Sequence, residues 1–330
     1  MRVAVIGYGL IGRERVRALV RLREEGIVEG FTVHDPFAAA EQPKVEAMGG
    51  VWSATLADVR SYAPQWTIIA TPHDTAVDLS LEVLGWCDQV LMEKPFGRSL
   101  SEAEKLSAVS GGRKRLHVGF NYRFFPGIEN ALLDARAGRF GSLIGVNMLL
   151  GHGGSPGMEK GWKFDPVKAG GGCLIDPGIH LLDLCRCMAP DIVLDCIRGW
   201  SGFWKTGIEE ETHLLLHSGQ ATFNVQVSVV RWRSTFRLEI HGTEGYGIVT
   251  GRGRSYGSMK YVRGQRWGWQ NAANQEASEE TVLVSECDDS FTDELRALFG
   301  QGKSGPNLSP CTATEALEVM RLYEACKTRL

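Results

Sequence analysis

Val3-Ala4-Val5-Ile6-Gly7-Tyr8-Gly9-Leu10-Ile11-Gly12 is the run from which the fold of this chain is read. Its first four residues are apolar and three are β-branched, as in a strand covered on both faces. Three glycines follow at GxGxxG spacing, and an amphipathic helical run continues through Leu22. Strand, glycine turn and helix in that order open a doubly wound α/β sheet. In such a turn Gly7 allows the tight bend, Gly9 lets the backbone approach a pyrophosphate and Gly12 lets helix and strand pack closely, with Leu10 and Ile11 completing the loop. The helix N-terminus then faces an anion. The spacing alone is a weak signal; the strand before it and the helix after it give it weight over a glycine-rich turn with no ligand.

Outward from this run, short β-rich stretches alternate with helical ones: Phe31–His34, Trp66–Ala70, Gln89–Met92 and Leu116–Val118. Their nearly continuous apolar character predicts a parallel sheet wrapped by helices. Asp35 closes the second strand about 20 residues beyond the last glycine, where a carboxylate accepts hydrogen bonds from a ribose diol and repels a 2′-phosphate. The expected cofactor is therefore NAD rather than NADP. The plainer role for Asp35, ahead of Pro36, is to shape a turn, and Arg13 stands where it could meet a phosphate.

After Pro126 and one more helix the rhythm changes. Ala221–Val229 and Thr235–Ile240 alternate apolar with polar residues, predicting antiparallel strands with one buried face. The opposite face, carrying Asn224, Gln226 and Ser228, is polar and uncharged, and is either solvated or a subunit contact. Gly264–Glu280, rich in Gly, Gln, Asn and Trp, reads as a loop. Near the end, Thr312-Ala313-Thr314-Glu315 fits a capping box, with Leu317, Met320 and Tyr323 following on one stripe. The division expected is a dinucleotide-binding domain over residues 1–121 and an α+β domain with a large open antiparallel sheet over residues 122–330.

Composition narrows the partners. With 330 residues, 43% hydrophobic and 23% charged, the chain suits two globular domains. A formal net charge of -3 and the lack of a dense basic block argue against nucleic acid and anionic membranes and for a small-molecule ligand. No apolar run approaches the roughly 20 residues of a membrane span, and no leader precedes the first strand, so a cytoplasmic protein is expected. Eight cysteines without a CxxC pair or Cys/His cluster read as reduced thiols, with no metal.

Two further segments carry chemistry. Glu93-Lys94-Pro95 directly follows a strand, at the carboxyl edge where open α/β sheets bind ligands; Lys94 is either a solvated lysine or a cation beside a nicotinamide. In Gly170–Asp183, the polar residues Asp176, His180 and Asp183 punctuate an apolar helical run at spacings that share one helix face. The plainer roles are an N-cap at Asp176, before Pro177, and a core histidine at His180.

Taken together, Gly7–Gly12, Thr71-Pro72, Glu93-Lys94-Pro95, Gly119-Phe120-Asn121-Tyr122-Arg123-Phe124 and Gly170–Asp183 resemble the glucose-fructose oxidoreductase / inositol dehydrogenase / rhizopine catabolism family (Gfo/Idh/MocA), over essentially the whole chain. A departure is His73 directly after Thr71-Pro72, with Ala76 where the family often has histidine. The resemblance implies a Rossmann domain, a second domain with an open sheet, and homodimers or homotetramers built through that sheet. It implies that Thr71, Pro72, Glu93 and Lys94 border the cofactor and that Lys94, Asp176 and His180 face the substrate, with His180, Lys94 and Asp176 catalytic and Asn121 and Arg123 close by. The reaction implied is oxidation or reduction of a secondary alcohol on a sugar derivative or cyclitol. The loop Gly151–Asp165 looks like that of members associated with nucleotide sugars. In it Trp162 either stacks on a pyranose or packs in the core, and Lys163 either meets a substrate anion or lies in a connector. The rival expectations are a catalytically silent NAD-binding regulator and a glycosidase that oxidises its sugar transiently.

Overall fold

The computed structural model describes residues 1–111, 115–265, 267, 279–302 and 308–330. In chain order the first elements are β1 (Arg2–Ile6), α1 (Leu10–Glu24), β2 (Gly30–His34), α2 (Gln42–Ala47), β3 (Val51–Trp52), α3 (Leu56–Ser61) and β4 (Trp66–Ile69). They are followed by α4 (His73–Val83), β5 (Gln89–Glu93), α5 (Leu100–Val109), β6 (Arg115–Gly119), α6 (Pro126–Arg136), β7 (Leu143–Gly151), α7 (Pro166–Ala169) and α8 (Ile179–Met188). The last are β8 (Val193–Trp200), β9 (Glu211–Ser218), β10 (Ala221–Ser228), β11 (Thr235–Gly242), β12 (Gly245–Thr250), β13 (Met259–Gln265), β14 (Glu279–Ser285), α9 (Ser290–Leu298), β15 (Cys311–Thr312) and α10 (Ala313–Lys327).

The first unit comprises Met1–Asn121 with Phe291–Ser304 and Ser309–Met320. Its sheet runs β15-β6-β5-β4-β1-β2-β3. All its pairs are parallel except β15 on β6. Apart from β15 this is the strand order of dinucleotide-binding sheets, whose topological switch falls between β1 and β4. The strands expected from their apolar runs are all present; β3, two residues long, is too short to show a period. Val3, Val5, Leu19, Phe31, Val33, Ile68 and Leu91 form the core, and Leu295 and Phe299 of the C-terminal return join them. The residues after 121 therefore do not all belong to the second domain. The return is held by burial of α9 and by Cys311 pairing opposite Val118.

The second unit is built mainly from Tyr122–Ser290, with Arg321–Leu330 added. Its eight strands run β14-β13-β12-β11-β7-β10-β9-β8. Alternation holds as expected: Phe223, Val225, Phe236, Leu238 and Ile240 are buried while Asn224 and Arg237 are exposed. The sheet is not wholly antiparallel, because β10 lies parallel to β7, with Asn224 opposite Asn147. Those strands are separated by a long crossover that includes α8, the connection a parallel neighbour requires. The outer face is charged as well as polar. Arg237 and Glu239 stand beside Asn147 and Asn224, and Ser228 is fully buried, bonding Glu211 at 3.0 Å. The Thr312 capping box is formed, with the Thr312 N–H and hydroxyl both 2.9 Å from Glu315 Oε2. In the segment read as a loop, residues 264–265 and 279–280 are strand, and 266 and 268–278 lie outside the described residues.

Candidate active site

At the switch point of the first unit, the glycine loop has the shape its spacing predicts. Gly7 takes φ +96°, and a Cβ there would lie 2.5 Å from the Ala70 carbonyl oxygen; at Gly12 it would collide with the Gly7 carbonyl. Around Gly9 nothing lies within 4 Å of the same point, so the backbone is open on that side. α1 starts there with no side-chain cap and no acidic residue in its first turn, leaving N–H donors and the positive end of the helix to an anion. Leu10 beside it is 71% exposed. Across the switch point the Thr71 hydroxyl is buried with no hydrogen-bond partner among the described residues, and Pro72 precedes α4. The open cradle, bare helix end and orphaned hydroxyl fit a dinucleotide.

Asp35 shapes the turn, its plainer expected role, and braces the glycine loop as well. Its Oδ1 accepts the Phe37 N–H at 2.9 Å, shaping the turn, and its Oδ2 accepts the Tyr8 N–H at 2.8 Å, tying β2 to the glycine loop. Arg13 is engaged nearby: its guanidinium lies 5.5 Å from the Tyr8 ring centre and 3.5 Å from Glu41.

Glu93 ends β5, Lys94 follows it directly, and the Lys94–Pro95 peptide is cis. Glu93 is anchored by Arg15, a fully buried residue on α1. Arg15 Nε donates to Glu93 Oε1 at 2.6 Å, and the same guanidinium lies 2.6 Å from Glu294 Oε2 on α9. One arginine thus joins the helix of the glycine loop to the strand end that presents the half-buried Lys94.

In the second unit α8 is buried nearly all round, through Ile179, Leu181, Leu182, Leu184 and Cys185. Polar side chains on such a helix need partners. Asp183 has one in Arg123, whose Nε and second terminal nitrogen donate to its two oxygens at 2.8 and 2.6 Å. Arg123 was expected at the substrate; its side chain is 4% exposed and held by Asp183, so it supports α8. His180, 4% exposed, lies flat on Tyr122 with ring centres 3.9 Å apart and planes 10° apart. Asn121 is buried where the first unit's continuous segment ends.

Asp176 is neither an N-cap nor on the helix. α8 begins at Ile179 behind Gly178, and Asp176 sits in the preceding turn, joined to Pro177 by a cis peptide. Only His180 and Asp183 of the expected trio share the helix. Asp176 Oδ2 pairs with Lys163 Nζ at 2.7 Å, and that ammonium lies 5.7 Å from the Trp162 ring, so Lys163 meets a carboxylate of its own chain. Gly171 and Gly172 are explained by packing, since side chains there would strike the Tyr323 hydroxyl and the Glu209 carbonyl, while Gly170 takes φ +90°. Glu209 also accepts the Gly172 and Leu174 N–H groups at 2.9 and 3.2 Å, and burial holds its carboxyl above the usual range.

Three residues join this group without a sequence signal of their own. Tyr122 lies within a quoted motif, yet its role as the platform for His180 depends on residues 58 positions apart meeting in space. His152 is fixed by backbone bonds to Ser228 and Arg231, and its Nδ1 accepts the Gly154 N–H at 3.1 Å. Burial pushes its imidazole below the ordinary histidine range, against the pull of Asp176. Arg252 lies over Tyr122, 5.0 Å from its ring centre.

Residues 1–120 match the family model described as an oxidoreductase family with an NAD-binding Rossmann fold, and residues 134–247 match the GFO/IDH/MocA C-terminal domain. The rhizopine catabolism protein MocA of Rhizobium meliloti is 29% identical over 67% of this chain and 62% of its own length. Glucose-6-phosphate 3-dehydrogenase of Bacillus subtilis is 28% identical over 56% of this chain and 52% of its own. The chain thus spans between half and two thirds of these relatives. Among solved structures, GenD2 from gentamicin A biosynthesis, in complex with NAD, superposes with a TM-score of 0.75 at 22% identity, covering 100% of this chain and 93% of that one. At that identity the likeness shows the fold.

Proposed function

Because the chain belongs to the GFO/IDH/MocA family of oxidoreductases, we propose that it transfers a hydride between NAD and a secondary hydroxyl of a sugar derivative or cyclitol. The observation that carries this reading is His180, a buried imidazole lying flat on Tyr122 within a buried helix. A neutral imidazole works as a base near neutral pH without heavy tuning. His180 takes the hydroxyl proton while the carbon–hydrogen bonding pair leaves for the cofactor, giving a ketone. The half-buried Lys94 places positive charge beside the oxygen on which negative charge develops. Asp176 holds Lys163, and with Trp162 the pair forms a polar edge suited to a sugar's hydroxyls or to an anionic substituent.

When bound, the nicotinamide supplies the hydride acceptor. Gly7, Gly9, Gly12 and the start of α1 would hold its pyrophosphate, Asp35 the adenosine ribose, and Thr71 and Glu93 would border it. Asp35 makes NAD the preferred form over NADP.

The test is steady-state turnover with NAD across sugar phosphates, nucleotide sugars, free sugars and inositols, followed by reduced-nicotinamide absorbance. His180→Ala and Lys94→Ala are each expected to lose on the order of 10²-fold or more in kcat while NAD affinity and melting temperature hold. Asp176→Asn should lose less. Intact turnover in both alanine variants would sink the site. Aglycone release without accumulating NADH would make the chain a glycosidase, and NAD binding without turnover of any panel member would leave it a regulator.

A further inference from the structure

Arg13 stands in the first turn of α1, directly after the glycine loop, with its side chain 47% exposed. Its guanidinium leans over the Tyr8 ring, 5.5 Å from the centre. Tyr8 faces the β2 and β3 side of the loop, for its N–H is the one that Asp35 accepts and its ring meets Trp52 edge-on at 6.3 Å. An adenosine ribose belongs on that side. Beyond Asp35 the chain folds back in a succession of turns: the Ala38 N–H bonds the Asp35 carbonyl at 3.3 Å, and the Glu41 N–H bonds the Ala38 carbonyl at 2.9 Å. Glu41 Oε1 is thereby brought to 3.5 Å from Arg13.

Glu41 holds a second cation as well. Lys44, on α2, donates to its two oxygens at 3.1 and 2.9 Å. That bond keeps the Glu41 carboxyl below the usual carboxylate range, so it is ionised at neutral pH. The charges that reach Tyr8 are Arg13, Glu41, Lys44 and, most weakly, Arg17, which pairs with Glu14 at 2.9 Å. One carboxylate thus engages both Arg13 and Lys44, a short turn beyond the carboxylate that faces the ribose. Dinucleotide sites that accept a 2′-phosphate do so with an arginine near this place.

We propose that Glu41 is a second determinant of cofactor choice: by holding Arg13 and Lys44 it withholds from a 2′-phosphate the cations that would receive it, so that exclusion of NADP does not rest on Asp35 alone. A phosphate arriving here meets two carboxylates and two engaged cations. With Glu41 neutral, Asp35 alone opposes it and both cations turn to it, as charge-assisted donors to phosphate oxygens. Glu41 touches neither ribose nor phosphate in this role and acts through the residues it engages. The proposal rests on the reading of Asp35 as the partner of the adenosine ribose.

The experiment titrates the full chain with NADH and with NADPH by fluorescence, at low and at raised salt, beside thermal melts. Glu41→Gln is expected to bind NADPH about fivefold more tightly than the native chain, the upper range for an exposed ion pair, with NADH binding unchanged. The gain should shrink in salt, which screens exposed charges and would not alter a merely structural effect. Adding Arg13→Met and Lys44→Met should abolish it. Those two substitutions in a chain that keeps Glu41 should leave NADPH binding as weak as in the native protein; a clear further loss would mean that the cations already serve the phosphate, and would overturn the proposal even if Glu41→Gln failed to fold. Unchanged NADPH binding in a normally melting Glu41→Gln overturns it too, as does equal tightening of both nucleotides or a gain that survives removal of Arg13 and Lys44. If Asp35→Ala alters the cofactor ratio and Glu41→Gln does not, this inference alone falls; if the native chain binds neither nucleotide, the cofactor reading falls and this inference with it.

Discussion

Asp35 directly follows β2 with each carboxylate oxygen already accepting one backbone N–H, and each oxygen keeps a further lone pair. The residue can therefore bond a ribose diol without giving up the loop it organises, and the two roles are coupled. Asp35→Ala is expected to narrow the preference for NADH over NADPH tenfold or more and to cost about 1–2 kcal/mol of stability, the scale for removing a shared acceptor. Fluorescence titration with both cofactors and denaturant melts check this; an unchanged cofactor ratio would take Asp35 out of cofactor choice. At this scale the sequence was most legible where a residue's job depends on its chain neighbours, as for Gly7, Gly12 and Asp35. It was least legible for what Arg123 and Lys163 pair with inside the chain. Their partners are carboxylates of the same chain, 60 residues from Arg123 in the case of Asp183, and no local pattern announces such a pair.

Elements are joined in the first unit by Arg15, which binds α1 to β5 and α9 through two acids. Removing one member of a buried ionic group leaves the others uncompensated, at a cost of about 3–5 kcal/mol, whereas replacing the group by apolar side chains is often neutral. Arg15→Met should therefore lower the melting temperature clearly, and adding Glu294→Leu should recover part of the loss. A single variant as stable as the native chain would show the cluster to be energetically idle. Strand periodicity was readable for the same reason these elements are stable, since one or both faces must be buried. What periodicity does not encode is adjacency. Nothing in β7 or β10 alone says that they lie parallel, and the apolar run before Asp183 does not reveal that its first residues form a turn and only Ile179 onward a helix.

For the whole molecule, the outer face of the eight-stranded sheet holds a shallow concavity of about 740 Å³ lined by Asn147, Leu149, Leu215, Asn224, Arg237 and Glu239. A broad sheet with one open face suits self-association about a two-fold axis. Light scattering is expected to report a homodimer or homotetramer, and Asn224→Arg with Asn147→Arg should shift it toward smaller species; a native chain that is strictly monomeric at micromolar concentration would refute the assembly. The division into units carries a different consequence. The dinucleotide-binding unit recruits Phe291–Ser304 and Ser309–Met320 from beyond the main segment of the second unit. During synthesis, its first 121 residues leave the ribosome long before Leu295 and Phe299 exist to close their core or Glu294 to meet Arg15. The nascent sheet must wait with a gap in its hydrophobic interior and an arginine short of one acid, so the unit whose translation begins first is not complete until almost the whole chain has been made.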